Sequence, residues 1–236
     1  MVASMAWRGS IVLLLAVTTC VLSYAAAVHA GDIQGRVLLA GDVPAPGKVP
    51  ITIDQYVCGT EQLAGALVVS GAREIRNVVV WLENPPPGTP SPPPAAPIPM
   101  DQKDCVFVPR VVIVPASGTV EFLNSDRLLH NLHSVSKDNP SFNRTQPKGR
   151  TIPITFAKPE FVRVDCDLHS WMRGWVVVIP HPFYALTDAQ GRFKLDNVPP
   201  GQYTLRSWHE RLGESSRSVT LATEGAAPVT IELRAR

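Results

Sequence analysis

Phe161-Val162-Arg163-Val164-Asp165-Cys166-Asp167-Leu168-His169-Ser170-Trp171-Met172-Arg173-Gly174-Trp175-Val176-Val177-Val178-Ile179 decides how this chain is to be read. Up to residue 166, valines and Cys166 alternate with Arg163 and Asp165, the period-two pattern of a strand with one buried face. The run from Trp175 to Ile179 is apolar and rich in valine, and reads as a second strand. The connection between them must turn back tightly. It carries a thiol at Cys166, an imidazole at His169 and a thioether at Met172, spaced at i, i+3 and i+6 so that all three can converge on one point. Upstream, Leu128-Leu129-His130-Asn131-Leu132-His133 follows the end of another strand and can bring a further imidazole from a separate segment.

The rest of the chain repeats the β signature. Short alternating or β-branched runs are separated by Gly, Pro, Asn and Asp, and long amphipathic periods are missing. Strands are expected over 35–41, 77–82, 107–114, 119–123, 152–156, 161–166 and 175–179. Ser117-Gly118 turns into the fourth, and Asn124-Ser125-Asp126 ends it. Residues 134–148 are polar and read as irregular. Between 85 and 99, Pro, Gly, Ser, Thr and Ala nearly exclude everything else, as in an extended loop or semi-rigid spacer. From 183 onward the rhythm changes, with turns at Thr187-Asp188-Ala189-Gln190-Gly191 and Val198-Pro199-Pro200-Gly201 and strands over 203–208, 218–221 and 229–233.

One thiolate, two imidazoles and a thioether form the ligand set of a mononuclear type 1 copper centre: Cys166, His130 and His169 in a plane, with a weak Met172 on its axis. His133 is an alternative to His130, and His181 and His209 read as structural. Beyond His29 the chain has five histidines, too few for a blue site plus a trinuclear oxidase cluster. No oxyanion-hole or third-group signal accompanies a Cys166–His169 nucleophile pair. No enzyme is expected. Zinc in the same ligands is chemically reasonable, and so are residues packed in a metal-free sandwich.

Residues 100–182 resemble a cupredoxin of the plastocyanin and amicyanin kind, with a short ligand loop. The resemblance rests on Phe107-x-Pro109, Gly118-x-Val120-x-Phe122-x-Asn124, His130-Asn131, Cys166-x2-His169-x2-Met172 and Gly174. It implies a Greek-key β-sandwich that carries single electrons between redox protein partners. His130, Cys166 and His169 would be the strong ligands and Met172 the axial one. Asn131 would steady the cysteine loop, and His169 would be the exposed edge through which electrons leave. Asp167 departs from the pattern, standing where a small or hydroxyl-bearing residue is common. Residues 183–236 resemble the smaller carboxypeptidase regulatory-like, transthyretin-related β-sandwich, through Thr187-Asp188-x2-Gly191-x-Phe193 and Val198-Pro199-Pro200-Gly201-x-Tyr203. That family is usually non-catalytic. The N-terminal β segment, 31–84, could supply its opening strands, so insertion of one sandwich into the other and two tandem domains are both open.

Residues 1–30 read as an export signal, with a positive Arg8, an apolar stretch and a small-x-small site at Val28-His29-Ala30. An uncleaved anchor or a lipidated Cys20 are the alternatives, and each implies an exported, periplasmic or envelope protein; after cleavage no membrane span remains. Three cysteines are left. Pairing Cys58 with Cys105 frees Cys166 as a metal ligand, whereas a Cys105–Cys166 bond would abolish the site. Lys and Arg number 22 against 20 Asp and Glu, a balance that gives no reason to invoke nucleic acid.

Overall fold

The computed structural model describes residues 30–45, 47–63, 65–93, 96–222 and 226–234. The expected export signal, Ala30 apart, and Cys20 lie outside these residues. Among the described residues no helix is long and apolar enough to cross a membrane.

The chain starts one sandwich, leaves it to build another, and returns. It enters through β1 (Gly31–Ala40), β2 (Lys48–Pro50), a single helical turn α1 (Gln55–Cys58), β3 (Glu61–Leu63) and β4 (Val79–Leu82). Next come β5 (Ile98–Lys103), β6 (Val106–Val108), β7 (Val111–Pro115), β8 (Gly118–Asn124), β9 (His130–Val135), β10 (Asn143–Gln146), β11 (Ile152–Phe156), β12 (Glu160–Asp165) and β13 (Arg173–Ile179). It closes with β14 (Tyr184–Leu186), β15 (Arg192–Val198), β16 (Gly201–His209), β17 (Gly213–Leu221) and β18 (Ala226–Arg234).

β5 to β13 make two facing sheets, ordered β10-β9-β12-β13-β7 and β11-β8-β5-β6. Their inward residues, among them Met100, Phe107, Phe122, Phe156, Val162, Val164 and Val176, form one apolar core. The other strands also make two sheets, β15-β1-β18 and β14-β4-β16-β17. There β1 runs parallel to β18 and antiparallel to β15, while β4 lies between β14 and β16. Strands from before residue 83 and after residue 183 therefore share one core, around Ile33, Val37, Val80, Leu82, Phe193 and Leu205. The strands of 98–179 lie, in sequence, between those two halves.

Three expectations need correction. The single strand over 107–114 is two strands, β6 and β7, broken at Pro109-Arg110 and assigned to opposite sheets. The spacer ends at residue 97, because Ile98 and Pro99 already belong to β5, which buries Met100. β10 also crosses the stretch read as irregular.

The two sandwiches are joined through a third apolar layer. Val79 and Trp81 on the outer face of β4 meet Val111, Ile113, Trp175, Val177 and Ile179 from β7 and β13. Trp208 stacks edge-on to Trp175, with centroids 4.9 Å apart, and lies 4.8 Å from Phe161. Beside this layer Arg110 forms a bidentate pair with Glu210, which also accepts the Trp175 indole N–H at 3.2 Å.

Candidate metal centre

The expected ligands come from three strand ends. His130 opens β9, Cys166 directly follows β12, and Met172 directly precedes β13. β12 pairs with both β9 and β13, so the open ends of all three reach the same edge of the β5–β13 sandwich, the inner one in sequence. The loop closes on itself, with the Met172 amide donating to His169 O at 2.8 Å and the Cys166 amide to Met172 O at 3.2 Å. Gly174 follows in a tight place: a Cβ would stand 3.1 Å from Phe107 and 3.2 Å from Met100 Sδ, so these neighbours would have to shift to admit it.

Three donor atoms meet. His130 Nδ1 lies 3.0 Å from His169 Nδ1, and Cys166 Sγ lies 3.8 Å and 3.6 Å from them. A point equidistant from three atoms so spaced is about 2 Å from each, the length of a bond from nitrogen or sulfur to a transition-metal ion. The outer nitrogens are both engaged. His130 Nε2 donates to Asp126 at 2.9 Å and His169 Nε2 to Asp54 at 3.1 Å. With the ring protons held there, both Nδ1 atoms turn lone pairs toward each other and toward sulfur, an arrangement that a shared cation stabilises. All three residues are buried, as is Met172. Burial pushes His130 down toward its neutral, ligating form, against the pull of Asp126. Burial also pushes the Cys166 thiol up, while the backbone amides of Asn131, Leu168 and His169 draw it down.

Asn131 joins the two ligand segments. Its Oδ1 accepts the Asp167 amide at 2.7 Å, and its Nδ2 donates to Asp167 at 2.9 Å and to Asn143 at 2.8 Å. The Asp167 carboxylate also takes His133 Nδ1 at 2.8 Å, so His133 faces outward and away from the cluster. His181 accepts the Phe183 amide in the outer sandwich, and His209 lies buried beside Glu210. Cys58 and Cys105 are bonded to one another, and Cys166 is free.

The exposed His169 edge is overturned. The ring is fully buried, because the segment carrying α1 lies over it and places Asp54 on its outer nitrogen. Ile51 and Cys58 of that segment are part of the inner core, and the disulfide ties it to Cys105. Asp54 and Asp126 were not picked out from the sequence. Asp126 stands four residues before His130, a signal that was available; Asp54 is 115 residues from its partner and had none.

No protein-family model and no curated protein matches the sequence. Among solved structures, the chain is similar to a copper-containing nitrite reductase from Thermus scotoductus at 26% identity and a TM-score of 0.34, covering 36% of this chain and 22% of that one. It is also similar to a purple cupredoxin from Nitrosopumilus maritimus at 20% identity and a TM-score of 0.31, over 35% of this chain and 99% of that one. An amicyanin variant matches at 22% identity with a TM-score of 0.33, over 42% of this chain and 98% of the other.

Proposed function

We propose that this chain is an exported carrier of single electrons that holds one type 1 copper ion through His130, Cys166, His169 and Met172, in a cupredoxin-like sandwich inserted into a second, non-catalytic sandwich of the carboxypeptidase regulatory-like type. The observation that carries the proposal is the convergence of two imidazole lone pairs and one sulfur on a single buried point. A copper ion bound there supplies exchange between Cu(I) and Cu(II) with little rearrangement. The residues do the rest. Asp126 and Asp54 fix the imidazole orientations, Asn131 holds the cysteine loop, and the apolar core keeps water from the donors. Buried donors suit a site that exchanges electrons rather than substrates, in keeping with a protein that is not an enzyme. The Cys58–Cys105 bond is of the kind that persists outside the cytoplasm, which agrees with export. Donor and acceptor would be other redox proteins.

One observation favours a second reading, copper sequestration: no ligand reaches the surface. Voltammetry of the copper-loaded protein separates the two. A reversible one-electron wave at one copper per chain is expected of a carrier. Protein that holds its copper as Cu(I) and gives no reversible wave is a sequestering protein, and the carrier reading is then wrong.

A further inference from the structure

We infer that Asp54 is a positioning residue of this centre, holding the outer proton of His169 and favouring the more highly charged state of the bound ion. The inference rests on the copper reading above and deepens it.

The carboxylate of Asp54 leaves its ordinary capping role and makes this contact. Asp54 occupies the N-cap of α1, where an aspartate usually turns its carboxylate onto the amides of its own helix. Here it makes no such bond. Its backbone sits at φ 51° and ψ 31°, in the left-handed region that aspartate tolerates better than most residues other than glycine. The Asp54 peptide oxygen instead takes the Val57 and Cys58 amides, each at 3.0 Å, while the carboxylate turns to His169.

The mount is fixed at both ends. Ile51 is buried in the inner core and its carbonyl takes the Gln55 side chain at 2.6 Å. Cys58 is bonded to Cys105, whose own amide donates to Asp126 at 2.9 Å. The same disulfide therefore stands between the two carboxylates that hold the two imidazoles. A carboxylate on the outer N–H makes the imidazole a stronger donor and adds negative charge close to the ion, and both effects favour Cu(II) over Cu(I). The Asp54 side chain is 36% exposed, so the surface end of the His169 route is a carboxylate.

The test compares copper-loaded wild-type protein with Asp54→Asn and Asp54→Glu, by visible spectrum and by reduction potential. Asp54→Asn is expected to keep the intense thiolate-to-copper absorption and to lose about tenfold in its preference for Cu(II) over Cu(I), a positive shift of about 59 mV for one electron. Asp54→Glu, which restores the charge, should return most of that shift. An Asp54→Asn potential equal to wild type, with the band intact in both, overturns this inference and leaves the copper reading standing. Wild-type protein that takes up copper without the band overturns the copper reading, and this inference with it.

Discussion

Asn131 shows how much one side chain can hold at this site. It satisfies the Asp167 amide and spans from β9 to the loop that carries Cys166 and His169. Asn131→Ala leaves that amide without its partner, and the expected loss is about 2 kcal/mol of stability. Metal affinity should fall roughly 10–100-fold, since the residue orients ligands without binding the ion. Urea unfolding and a competitive copper titration measure the two effects. The approach of Cys166 and His169 was legible in the sequence, because i and i+3 on a tight loop bring the two side chains together without knowledge of the rest of the chain. The carboxylates behind them were not. Asp54 reaches His169 through a disulfide-tied segment 115 residues away in the chain, and local spacing carries no trace of such a contact.

Among the elements, the segment from β2 through β3 depends most on a covalent tie. The Cys58–Cys105 bond spans 47 residues, for which the chain-entropy estimate is about 4 kcal/mol. Replacing both cysteines with alanine is expected to lower the unfolding free energy by about 2–4 kcal/mol and to raise amide hydrogen exchange in α1 ahead of the sandwich strands. Equal protection of α1 in the two proteins would show that the apolar contacts of Ile51 alone hold it. Most strands followed from alternation. Those missed have physical reasons. β10 is a polar edge strand that buries only Gln146, so it leaves no hydrophobic period. The start of β5 was hidden by Pro99, which is tolerated because β6 covers β5 only from Asp101 to Lys103 and leaves one side of Pro99 unpaired.

For the molecule as a whole, the informative residues are the two uninterrupted apolar runs, Val78 to Leu82 and Trp175 to Ile179. Each strand has both faces covered: Val80 and Leu82, like Val176 and Val178, face their own sandwich core, while Val79, Trp81, Val177 and Ile179 fill the layer between sandwiches. Alternation fails there because both sides are packed against apolar neighbours. The sequence therefore held a sign of the contact between sandwiches, but a continuous run names neither the partner face nor the pairing of β1 with β18 and of β4 with β16. The contact also carries a pH dependence. Burial pushes His209 down to about 4, with Glu210 opposing and Arg110 and Arg211 reinforcing the shift. A folded-state value below the unfolded one, about 6.5, means that stability is complete above pH 6.5 and declines as the pH falls toward 4. From pH 7 to pH 5 this residue should account for about 2 kcal/mol. Denaturation of wild type and His209→Asn at both values measures it, and an identical pH slope in the two proteins would refute the assignment.

The most direct measurement is the visible spectrum of the protein after addition of one equivalent of Cu(II), beside that of Cys166→Ser. Sulfur and two imidazole nitrogens converging on one buried point predict an intense blue thiolate-to-copper band in the first protein and none in the second. Copper bound at full occupancy without that band, or a band that survives the loss of Cys166, would contradict the account.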